Sequence, residues 1–157
     1  MNAAGFAIRA RVLLPALWLG LLATIALIAA PAAFAALPVH DAGRVAARML
    51  AVEANASLGF AVALFVLERR RARSAAAAGR GSVVSAELLL VLGTLFCTVA
   101  GYFALLPLME AARAGQGRWS FAALHGLSSA FYGVKALLVA ALAWRAARPA
   151  PDRHQSD

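Results

Sequence analysis

The 157-residue chain contains one cysteine, Cys97, three histidines and seven acidic residues, and charged residues make up only 14% of it. A lone cysteine excludes a disulfide framework and any Cys-rich zinc or iron–sulfur centre within the chain, since each needs several thiolates. The sequence has no His-x-x-x-His pair, no methionine cluster and no Cys-x-x-Cys, so the common spacings of metal ligands are missing. Gly115-Gln116-Gly117 is a turn rather than a nucleotide loop, because no phosphate-binding lysine follows it. The serines near His125 lack the glycine elbow of a hydrolase. No enzyme is expected. The polar–apolar alternation of a membrane β-barrel is absent as well.

Apolar residues dominate instead, at 63% of the chain with a mean hydropathy of +0.78, which sets aside a water-soluble globule. Four charge-poor stretches, about 12–37, 45–67, 88–109 and 120–144, each supply the roughly 20 residues needed to cross a hydrocarbon core of ~30 Å. A single segment satisfies its backbone polar groups in lipid by forming a helix. The expected fold is therefore all-α, an integral membrane four-helix bundle, with residues 1–148 as one four-span domain and 149–157 as a polar, disordered tail. Ala33-Phe34-Ala35 looks like a leader cleavage site, but the preceding apolar run is far longer than the roughly 7–15 residues of a leader. It reads as a span.

Lys and Arg in short loops stay on the cytoplasmic side. Arg9, Arg11, Arg69, Arg70, Arg71, Arg73, Arg80, Arg145, Arg148 and Arg153 fall on one side, and Arg44, Arg48, Arg113 and Arg118 on the other. Both termini are thus expected in the cytoplasm of a bacterium, with the chain in the inner membrane and the loops 38–44 and 110–119 facing outward. The net charge of +8 is then explained by topology and contact with acidic lipid heads, and no nucleic-acid partner is expected. Residues 74–85 read as a linker, with a helical extension of the second span as the alternative.

Helix association in lipid depends on small residues that let backbones approach. Gly93, Cys97 and Gly101 mark such a stripe on the third span, with shorter patches at Gly59 and Ala63, Ser129 and Gly133, and Ala29 and Ala33. All are read as contacts inside the bundle. Pro31 is expected to free the carbonyl of Leu27 and bend the end of the first span.

Ionisable groups inside lipid are costly, which makes Glu53, His125 and Lys135 candidate sites. With crossings beginning at Val45 and Ser120, Glu53 lies roughly 12 Å and His125 roughly 7 Å below one surface, within reach of each other. Ser128, Ser129 and Tyr132 share the helical face of His125, and Asn55 and Ser57 lie near Glu53. The expected polar cluster comprises Glu53, Asn55, His125, Ser128, Ser129, Tyr132 and Lys135. Lys135, roughly 22 Å deep, either turns toward Glu53 or a helix C-terminus or snorkels to the lipid heads. The cluster reads either as a site for a proton, a cation or a small solute, with His125 titrating near neutral pH, or as interhelical glue. Two alternatives stand beside the first: a haem- or copper-binding redox protein using His40 and His125, and a structural subunit of a membrane complex. Four spans are few for a carrier, so a homo-oligomer or a membrane partner is expected.

Several segments recur together in one known family: Ala30-Pro31-Ala32-Ala33-Phe34 with Leu37-Pro38, Ala42-Gly43-Arg44, Glu53, Gly101-Tyr102-Phe103, Met109-Glu110-Ala111-Ala112-Arg113, Gly115-Gln116-Gly117, and Ser120-Phe121 leading to Leu124-His125, Ser128 and Lys135. By these the chain resembles the bacterial branch of the membrane family related to transmembrane protein 205, a domain of unknown function. The resemblance spans roughly Arg11 to Arg145. It implies a four-helix membrane protein and no established reaction.

Overall fold

Backbone groups crossing lipid must be satisfied within their own segment, and every regular element among the described residues is helical. The computed structural model describes residues 3–148; the tail expected to be disordered, 149–157, lies outside them. The first span consists of α1 (Ala3–Thr24), a π-helical turn (Ile25–Ala29) and α2 (Ala30–Ala36). The second is α3 (Val39–Ala77), 39 residues long. The third joins α4 (Ala86–Thr98), a second π turn (Val99–Ala104) and α5 (Leu105–Arg113), and the fourth is α6 (Phe121–Ala147). Among the described residues these four helical segments are long and apolar enough to cross a membrane. The protein is a four-span, all-α membrane bundle.

Local chemistry sets the helix ends. Extended backbone at Leu37 and Pro38 confines the first turn to two residues, so α3 starts at Val39 and takes up most of the expected loop 38–44. At its far end α3 runs through Arg69–Arg73 to Ala77, the helical alternative to a linker. It stops where Gly79 adopts φ 66°. There Arg80 N–H donates to the Ala75 carbonyl and Gly79 N–H to that of Ala76, a closure that favours glycine. The same device ends α5, with Gly115 at φ 72° and Gln116 N–H donating to Ala111. Ser85 and Ser120 cap α4 and α6 by accepting from Leu88 and Ala123 N–H.

The spans alternate in direction. Their main contacts run first to second, second to third, third to fourth and fourth to first, so they form a ring with two diagonals. Trp18, Leu22, Ala61, Leu64, Val91, Val139 and Leu142 fill its core, and Trp18 stacks on Phe60 with centroids 5.6 Å apart. The buried face of α3 is Glu53, Ser57, Ala61, Leu64, Glu68 and Ala72, three or four residues apart. Gly59 and Ala63 fall between those positions and face outward, as do Ser129 and Gly133 on α6; a methyl group added at Gly59 or Gly133 would meet open space. These patches are not bundle contacts. The Gly93–Cys97–Gly101 stripe is one: a methyl at Gly101 would collide with Phe131, and one at Gly93 would press Leu138 Cδ1 at 3.0 Å.

Both π turns precede a proline, Pro31 in α2 and Pro107 in α5. A proline ring displaces the carbonyl one turn earlier. The helix answers by widening that turn. The disturbance expected near Leu27 takes this form within Ile25–Ala29.

Candidate functional site

The helix starts fix the depth of the ionisable side chains. Glu53 is the fourteenth residue after Val39 and Lys135 the fourteenth after Phe121. α3 and α6 run in the same direction, so at 1.5 Å per residue both groups lie about 21 Å from their helix starts, at one level. They meet across the diagonal between the second and fourth spans. Lys135 Nζ lies 2.7 Å from Glu53 Oε1 and 3.0 Å from Oε2. Both residues are sealed, with 2% of Glu53 and 3% of Lys135 accessible.

The pair is held from all sides. Ser57, one turn after Glu53, donates a short hydrogen bond to Glu53 Oε1. Trp18 Nε1–H on the first span donates to Ser57 Oγ at 2.9 Å. Lys135 Nζ sits 4.9 Å from the centroid of the Tyr132 ring, a cation–π contact that stabilises an ammonium out of water. Tyr132 Oη in turn donates to the Leu22 carbonyl at 2.9 Å, just ahead of the first π turn. Three spans thus meet through five side chains. On the third, Thr94 and Thr98 are buried and donate to Val91 and Thr94 carbonyls of their own helix.

Of the residues expected to cluster, Glu53, Tyr132 and Lys135 come together. Ser128 lies beside them in sequence but donates to the Gly101 carbonyl inside the second π turn, at 2.6 Å. His125 does not join Glu53. It is exposed and stacks on Phe121 at 5.7 Å. Placing the start of the second crossing at Val45 made Glu53 too shallow; α3 begins six residues earlier, which sinks Glu53 to the level of Lys135. Asn55 and Ser129 are corrected too: both are exposed, and Asn55 Nδ2 donates to the Ala51 carbonyl of its own helix. Asn55 sits two residues from Glu53, on the opposite side of the helix, whereas Ser57 at four residues shares its face. Nothing in the local pattern around Trp18 separates a core tryptophan from an interfacial one, so only the packed bundle reveals its part in the site.

His40 is exposed on the first turn of α3, with Nδ1 3.5 Å from Asp41 Oδ1. Among the described residues no group of three or more His, Cys, Asp or Glu side chains could hold a metal ion.

A second set of charges ties the Arg-rich end, where α1 begins and α6 finishes. Arg11 Nε pairs with Glu68 Oε1 at 2.6 Å, and Arg145 contacts Glu87 Oε1 through Nη2 at 2.8 Å and Nε at 3.0 Å. Arg71 reaches toward both carboxylates, 3.7 Å from Glu68 Oε2 and 3.8 Å from Glu87 Oε2. All four spans are linked by this chain of alternating charges.

No curated protein and no solved structure matches the chain. One family does, over residues 13–118, a stretch that covers most of the first span, the whole of the second and third with Glu53, and stops short of Lys135. The match takes in more than half of the sequence, and the chain belongs to the family described as a domain of unknown function, DUF4149.

Proposed function

We propose that this protein is a non-enzymatic membrane protein that handles a proton or small cation at the Glu53–Lys135 centre. One observation carries the reading: an ion pair sealed at mid-depth in an apolar bundle, across its diagonal. A buried ion pair contributes little stability compared with apolar side chains of similar volume, because desolvation offsets the attraction. Ionisable groups at such depth mark ion and proton paths.

Glu53 supplies the charge that a proton or cation would take up, and Lys135 is the resident counter-ion. Protonating Glu53 removes the charge that holds the Lys135 ammonium, which keeps its contact with the Tyr132 ring. A metal cation or small organic cation would compete with the ammonium for the same two oxygens. In this reading the Arg-rich end lies in the cytoplasm with both termini, across a bacterial inner membrane. A second copy or a membrane partner completes the pathway that four spans leave short.

The test is ion flux into liposomes containing the purified protein, followed with pH-sensitive and potassium- or sodium-sensitive dyes. Wild type is expected to carry a flux that Glu53→Gln abolishes. The double variant Glu53→Leu, Lys135→Met keeps apolar packing and isolates function from folding. Folded double variant with wild-type flux would refute the reading and leave the pair as packing.

A further inference from the structure

Counting charges at the Arg-rich end separates its arginines into two sets. Among the described residues Glu68 and Glu87 are the carboxylates there, and Arg11, Arg71 and Arg145 occupy them. Arg69, Arg70 and Arg73 have no carboxylate partner among the described residues, and all three are exposed. Helix geometry explains the split. Glu68 and Ala72 point into the bundle, so the positions next to them turn outward.

The level of these three guanidiniums is set by the sequence. The apolar run of the second span ends at Leu67, which puts Arg69, Arg70 and Arg73 at the boundary between hydrocarbon and headgroups. With Phe65 and Val66 they line a shallow, open depression of about 260 Å³ along one side of α3. The Arg69 guanidinium lies 5.7 Å from the centroid of the Phe65 ring, which holds it against that apolar side chain. Val62, one turn below Val66, is 60% exposed and continues the apolar track toward the membrane interior. Cationic forks above an apolar track match a ligand with an anionic head and a hydrocarbon tail.

We propose that this depression binds an anionic phospholipid, with its phosphate on Arg69, Arg70 and Arg73 and an acyl chain along Phe65, Val66 and Val62. Guanidinium groups take phosphate oxygens in bidentate fashion. The aromatic residue lies on the membrane side of the arginines, where it can flank an acyl chain; stacking the bases of a single-stranded nucleic acid would need aromatics on the aqueous side. The site is independent of the Glu53–Lys135 centre.

The test is native mass spectrometry of the full chain in nonionic detergent, titrated with dioleoylphosphatidylglycerol, with dioleoylphosphatidylcholine, with phosphatidylglycerol in the presence of inorganic phosphate, and with a short single-stranded RNA. Wild type is expected to retain phosphatidylglycerol over phosphatidylcholine, and millimolar phosphate is expected to leave it bound. Arg69→Gln, Arg70→Gln, Arg73→Gln should weaken that binding on the order of a hundredfold. Arg9→Gln, Arg148→Gln removes two other exposed charges at the same end and should have a small effect. Equal retention of both lipids, phosphatidylglycerol binding by the triple variant, or an equal loss in the control pair would overturn the proposal. Displacement by phosphate alone would identify a plain anion site, and tighter binding of a short single-stranded RNA would identify a nucleic-acid surface; either also overturns it.

Discussion

The bundle joins its spans through carboxylate–cation pairs in two places, and the two places differ chiefly in how far their cations are exposed. At mid-depth one carboxylate and one ammonium face each other, both almost fully buried and 2.7 Å apart. At the Arg-rich end two carboxylates share three guanidiniums, and Arg145 is 42% exposed on its side chain. There water and salt compete for the exposed guanidiniums of Arg71 and Arg145, although Glu68 itself is buried. The contrast teaches that the same pair type is an obligate unit in one setting and a loose, replaceable tie in the other.

The largest effect comes from splitting the central pair. Glu53→Ala or Lys135→Ala alone leaves an uncompensated buried charge and should lower the unfolding free energy by about 3–5 kcal/mol, measured by chemical denaturation in detergent. Replacing both by Leu and Met should restore stability to wild type or raise it. A double variant as unstable as the singles would erase the distinction between the two regions.

Next comes a purely steric perturbation of the same interior. Gly101→Ala forces the third span away from Phe131 and should cost about 1–3 kcal/mol, with a matching drop in melting temperature. The smallest effect belongs to the Arg-rich end: Arg145→Gln should cost roughly 0.2–1 kcal/mol at low salt and nothing measurable in concentrated salt. The loss in Glu53→Ala should persist across that salt range. A salt-independent effect at Arg145 would make the two regions alike.

Length and hydropathy were enough to find the four spans, because nothing else satisfies such stretches in lipid. Their ends were not, since a Leu-Pro turn of two residues and a helix running on through an arginine cluster carry no hydropathy signal. The start of α3 sets the depth of Glu53. With Val45 in place of Val39 as the start of the second span, Glu53 rose toward His125 and away from Lys135. The choice between Asn55 and Ser57 was open to helical phase alone, since spacing by four puts Ser57 on the Glu53 face. The contribution of Trp18 and the sharing of Glu68 and Glu87 among arginines depend on which spans are neighbours, and that is decided by packing over the whole bundle.

Past its π turn the first span has no fully buried residue, and α2 packs against α3 through half-buried positions such as Ala33. The arrangement has a mechanical consequence. The Leu37–Pro38 corner is coupled to α3, the helix that carries Glu53, and through the Tyr132 bond to the Leu22 carbonyl the same first span is tied to α6, the helix that carries Lys135. The first span therefore touches both halves of the central pair, one through each neighbour.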